Sequence, residues 1–125
     1  MWQRTVEVML AVWLAISPFI FEHPGDKPLW WAHDWIVALL IATLASASFV
    51  HSTRYAHFLE LIVACWLIGF GWVSATGGLG APAMQNWMCV GLLILMLAIL
   101  PTDATSTPEA WRKWYREQGI EPPPA

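Results

Sequence analysis

The sequence predicts an all-α membrane protein: four transmembrane helices as two tandem helical hairpins, followed by a short C-terminal amphipathic helix at the membrane surface. Composition is the first reason. Of 125 residues, 58% are hydrophobic and 12% are charged, and mean hydropathy is +0.52. A soluble domain is about a quarter charged and under half apolar. A chain this short leaves much of its length facing solvent, so an apolar excess of this size implies lipid as that solvent. Segmentation is the second reason. The apolar residues fall into four runs, near 5–21, 31–50, 56–75 and 84–100, each close to the ~20 residues that span a bilayer as helix. None alternates as a strand does, and all are apolar on every side, unlike the strands of a barrel. The third reason is the turn chemistry between the runs.

The first run begins near Arg4 and contains Glu7. Glu7 interrupts the apolar stretch and no small-x-small site follows it, so this run is read as a helix of the mature chain and not a cleaved leader. Pro24 and Pro28 flank Gly25-Asp26 and cannot continue a helix. The second run ends at the polar turn His51-Ser52-Thr53-Arg54-Tyr55, and the third ends at a flexible, uncharged loop from Thr76 through Gly77, Gly78 and Gly80 to Pro82. Pro101-Thr102-Asp103 ends the fourth. The organisation is therefore a first hairpin over 1–50, a second over 51–103 and a tail over 104–125.

In the tail, Thr107-Pro108-Glu109 reads as a helix start and Gly119 as its stop. Trp111, Trp114 and Tyr115 fall at i, i+3 and i+4, on one helical face, interleaved with Arg112, Lys113 and Arg116. That pattern predicts a helix lying on a membrane surface or docking on a partner. One side of the membrane carries Arg4, Arg54, Arg112, Lys113 and Arg116, and the other only Lys27. Five against one predicts that both termini are cytoplasmic. Trp2, Trp30, Trp31, Trp35, Trp87, Trp111 and Trp114 lie near helix ends, as expected of aromatic belts at the lipid–water boundary.

The halves resemble each other. A shift of 53 lays Glu7 on Glu60, Ala11 on Ala64, Trp13 on Trp66, Leu14 on Leu67 and Pro18-Phe19 on Gly71-Trp72. For the second helix, a shift of 52 lays Asp34-Trp35 on Asn86-Trp87. Both units start on the same side, so the repeat is parallel, about an axis along the membrane normal.

The run Ala15-Ile16-Ser17-Pro18-Phe19, with Trp13 four residues before Ser17, resembles the signature of the SPW-repeat family of bacterial membrane proteins, over about residues 2 to 100. The triplet is Ser17-Pro18-Phe19 in the first unit and Phe70-Gly71-Trp72 in the second, both departing from Ser-Pro-Trp but keeping an aromatic third residue. The resemblance implies a four-helix inner-membrane protein and carries over no catalytic residue.

Pro18 removes the amide that would bond the Leu14 carbonyl, and the Ser17 hydroxyl is placed to reorganise that bonding. Glu7 and Glu60 are the sharpest candidates, because ionisable groups within a span are costly and often functional. Arg54 and His57 are expected at their level, making Glu7, Glu60, Arg54 and His57 a candidate ionisable cluster. The helix dipole also favours an anion near a helix start, so a structural role at the interface stays open. Ala38, Ala42 and Ser46 recur every four residues and mark a helix contact face; they join Trp111, Trp114 and Tyr115 as candidate interface residues.

Several classes are excluded from expectation. Net charge is −3 with no basic stripe before the tail, which argues against nucleic acid. Cys65 and Cys89 lack metal-ligand spacing and a disulfide context. His23 and His33 fall outside, near Glu22, Asp26 and Asp34, while His51 and His57 fall inside. Imidazole and carboxylate suit zinc, but the spacing matches no ligand pattern, so no metal is expected. No nucleophile–base pair or phosphate-cradling loop is present, so no catalytic residue and no enzyme is expected. Partners are the lipid bilayer and other membrane subunits, with no cofactor beyond lipid. The leading expectation is a non-catalytic accessory or scaffolding subunit of a larger respiratory or photosynthetic membrane complex. Alternatives are a small transporter or proton-coupled protein using Glu7 and Glu60, and a pigment- or haem-binding protein.

Overall fold

Proline and glycine punctuation sets the element boundaries in the computed structural model, which describes residues 2–53, 55–75, 81–100 and 109–121. Helix α1 spans Trp2–Ile20, α2 Pro28–Ala47, α3 Glu60–Ser74, α4 Ala81–Ile99 and α5 Glu109–Glu117. Two 3₁₀ turns, His51–Thr53 and Ala56–Leu59, lead from α2 into α3. The second of them extends α3 to a 19-residue span, and α1, α2 and α4 supply three more helices long and apolar enough to cross a membrane. At 1.5 Å per residue each is about 28 Å long, close to the hydrocarbon thickness. No strand occurs among the described residues.

Helix α1 continues past Pro18 to Ile20. Ser17 Oγ donates to the Leu14 carbonyl at 2.8 Å, replacing the amide that proline lacks. The helix then closes through Phe21 N–H to Ser17 O at 2.9 Å and His23 N–H to Pro18 O at 3.0 Å, with Glu22 in the left-handed region at φ 47°. Pro28 opens α2 at its first turn, where a missing N–H costs nothing. The tail helix ends on Gly119 at φ +69°. Ile120 N–H bonds Tyr115 O at 3.0 Å and Gly119 N–H bonds Arg116 O at 3.1 Å, the paired closure of a Schellman motif.

Helices α1 and α2 pack as one hairpin and α3 and α4 as a second, with α1 against α4 and α2 against α3 joining them. Their shared core is Ala11, Leu14, Val37, Ala38, Ile41, Ala64, Leu67, Trp87, Val90 and Ile94. The closest approach is at Gly91. A Cβ there would lie 2.8 Å from Ile68 Cγ1 and 3.1 Å from the Ala64 carbonyl, so only glycine lets α4 sit this near α3. Outside the core, large apolar side chains such as Leu39, Ile62 and Met96 stay two-thirds exposed, as a lipid-facing surface requires.

Burial fixes the repeat register. A shift of 53 lays buried on buried at most core positions: Arg4 on His57, Glu7 on Glu60, Ala11 on Ala64, Leu14 on Leu67, Val37 on Val90, Ala38 on Gly91, Ile41 on Ile94 and Ala45 on Ala98. The shift of 52 expected for the second helix is therefore one residue short. It matched side-chain chemistry, Asp34-Trp35 with Asn86-Trp87, whereas the core face pairs Asp34 with Trp87.

Candidate functional site: two buried polar clusters

The same register places polar groups at both ends of the apolar core. At one end, Arg4, Glu7 and Glu60 are fully buried and His57 is 1% exposed. Arg4 Nη1 pairs with Glu7 Oε1 at 2.8 Å. Its Nη2 donates to the Leu97 carbonyl at 2.7 Å and to the Leu100 carbonyl at 3.4 Å. These carbonyls lie at the C-terminal end of α4, where the dipole favours a cation. Arg4 therefore ties the start of α1 to the end of α4. The buried carboxyl groups of Glu7 and Glu60 lie within electrostatic reach of each other and of Arg4. His57 and Glu60 repeat the i, i+3 spacing of Arg4 and Glu7. One guanidinium thus stands against two buried carboxyl groups, a net charge of −1 when both are ionised.

At the other end, Asp34 is fully buried and collects partners from four segments. Its Oδ1 accepts from Trp87 Nε1 at 2.6 Å and lies 3.2 Å from His33 Nδ1. Its Oδ2 lies 3.2 Å from Ser17 Oγ and 3.1 Å from His23 Nε2. The tautomer of His33 follows from Trp66, whose indole can only donate. Trp66 Nε1 donates to His33 Nε2 at 3.0 Å, so the His33 hydrogen sits on Nδ1 and points at Asp34. Under the shift of 53, this bond maps onto Trp13 Nε1 donating to Asn86 Oδ1 at 2.8 Å. Each hairpin thus reaches across to the other with one tryptophan, leaving no indole N–H to lipid at these positions.

His23 is 5% exposed, and its ring lies edge-on to Trp30, Trp31 and Trp87 at 6.3, 6.2 and 5.5 Å. Its Nδ1 is buried and makes no hydrogen bond among the described residues. His33 stacks on Phe70 at 3.8 Å and, with Trp66, lines an apolar groove of about 480 Å³ between α2 and α3. Ligation of a haem or pigment metal by His33 Nε2 would have to displace Trp66. Among the described residues, no group of three or more His, Cys, Asp and Glu side chains is arranged to hold a metal ion.

The structure buries Glu7, Glu60 and His57, and pairs Glu7 with Arg4; Arg54 lies outside the described residues, as do Thr107, Pro108, the 76–80 loop and Pro101 to Asp103. Ser17, Pro18 and Gly71 face the core, while Phe19 and Trp72 face outward. Ala38 is buried, Ala42 half-buried and Ser46 exposed; the close-packed row runs instead through Ala38, Ile41 and Ala45. Trp111 and Trp114 are exposed and Tyr115 is half-buried. Sequence reasoning missed two anchors. Asp34 was grouped with the loop acids Glu22 and Asp26, and Trp87 with the aromatic belt, yet each is 0% exposed. Applying the shift of 53 to all four helices would have paired them.

A family model described as SPW repeat domain matches residues 1–101. No curated protein and no solved structure matches the chain.

Proposed function

Because the chain belongs to the SPW repeat family, we propose that it is a non-enzymatic four-span membrane protein that binds and exchanges protons within its bundle, as a small transporter or proton-coupled protein. One observation supports this above others: Arg4, Glu7, His57 and Glu60 are all buried inside the bundle, none more than 1% exposed. Ionisable groups held inside a span are costly, and their common use is in proton and ion pathways. The inner, cytoplasmic membrane and cytoplasmic termini are part of the reading, from the five-to-one distribution of lysine and arginine. Reconstitution into liposomes under an imposed pH gradient tests it. Wild-type protein should dissipate the gradient and Glu7→Gln/Glu60→Gln should not. Equal rates in the two, or no flux in either, would overturn it.

A second reading, an accessory or scaffolding subunit of a larger membrane complex, is favoured by α5. That helix buries none of its residues and turns out Trp111 and Trp114 beside its basic side chains. Purification in mild detergent with mass spectrometry tests it. Stoichiometric recovery of a large complex would support it, and a lone small particle would count against it.

A further inference from the structure

The two oxygens of Asp34 are not equivalent. Oδ1 faces Trp87 Nε1 and His33 Nδ1; the indole can only donate, and Trp66 fixes the His33 hydrogen on the nitrogen facing Asp34. This oxygen is held as a permanent acceptor. Oδ2 faces Ser17 Oγ and His23 Nε2, a hydroxyl and an imidazole, both able to exchange donor and acceptor roles. Ser17 has one hydrogen, and the Leu14 carbonyl left open by Pro18 takes it at 2.8 Å. The hydroxyl oxygen therefore keeps an acceptor lone pair toward Oδ2. The remaining member, His23, has a second nitrogen, Nδ1, that is buried without a hydrogen-bond partner among the described residues, on the connection between α1 and α2.

We infer that Asp34 Oδ2 and His23 form a second proton-exchange site at the end of the bundle away from Glu7 and Glu60. A proton from the adjacent aqueous phase adds to Nδ1 of His23. The Nε2–H bond breaks and an O–H bond forms on Asp34 Oδ2, leaving His23 neutral with its hydrogen on Nδ1. The new hydroxyl donates to Ser17 Oγ while Oδ1 keeps both its donors. Release runs the same steps backward. The charged and titratable groups around His23 are Asp34 and His33 from α2 and the exposed Glu22, Asp26 and Lys27 of its own connection, Lys27 lying 4.3 Å over the Trp30 ring; Trp87 faces it from α4. This site deepens the proton-exchange reading and rests on it for its physiological use, but its chemistry is measurable alone.

The test is ¹⁵N NMR of histidine-labelled protein in lipid nanodiscs across pH, with His23 signals assigned by their loss in His23→Gln. The His23 nitrogens should move with bulk pH, and should still do so in Glu7→Gln/Glu60→Gln. Asp34→Asn should shift the midpoint of that response, as should Ser17→Ala, which leaves the carboxylate in place. His33 should hold one neutral tautomer throughout. His23 signals that stay fixed with pH, or that respond identically in wild type and both variants, would overturn the site. Absence of liposome flux with the His23 response intact would remove the transport reading and leave this site standing.

Discussion

The two buried clusters solve the same problem by different means. The Arg4 cluster meets carboxyl groups with a formal charge: Arg4 faces Glu7 and Glu60, and its Nη2 donates to the Leu97 and Leu100 carbonyls. The Asp34 cluster surrounds a single carboxyl group with side-chain donors, Trp87 and His33 on one oxygen, and exchangeable groups on the other. Between them lies an apolar layer including Ala11, Leu14, Ile41 and Leu67. The contrast teaches that the repeat supplies equivalent positions and not equivalent chemistry. The shift of 53 pairs Glu with Glu at one end and Asp with Trp at the other, so two carboxyl groups share one cation at the first end while a single carboxyl group is held by neutral donors at the second.

The comparison can be broken at its strongest link first. Arg4→Met strands Glu7 without its cation, and removing one partner of a buried pair costs about 3–5 kcal/mol. Denaturation in mixed micelles should show that loss, and adding Glu7→Gln should recover much of it, because the uncompensated charge goes too. Trp87→Phe keeps an aromatic ring but removes the N–H and part of the side-chain volume at the Asp34 end; the lost charged hydrogen bond alone costs about 1.5–3 kcal/mol in the same assay, and the cavity adds to it. Gly91→Ala tests the layer between the clusters. Overpacking against Ile68 and the Ala64 carbonyl should cost about 1–3 kcal/mol, while the His23 response to pH stays in place. Ser17→Ala has the smallest expected effect, about 1 kcal/mol, since it frees the Leu14 carbonyl but leaves the anchored oxygen of Asp34 untouched.

Hydropathy alone made the four spans legible, because lipid demands an unbroken apolar surface and the sequence meets that demand four times. Gly119 was legible as a stop because positive φ favours glycine. Glu7 and Glu60 stood out because a charge in an apolar run has few bland explanations. Asp34 did not, since six residues into a helix it reads equally as a loop neighbour or a core group, and only the facing of α2 decides. Trp87 was ambiguous for a related reason: indole suits both a membrane interface and a core with an acceptor. Its acceptor is Asp34, on the other hairpin. The pairing of Arg4 with His57 was hidden because the two differ in chemistry and share only position.

The central claim is that Glu7 and Glu60 hold a proton inside the bundle, and pH-induced infrared difference spectroscopy of the protein in lipid reads it directly. The account predicts a protonated-carboxyl C=O band that changes with pH in wild type and loses a component in Glu7→Gln/Glu60→Gln, whose remaining carboxyl signal includes Asp34. A difference spectrum in that double variant identical to wild type would contradict it.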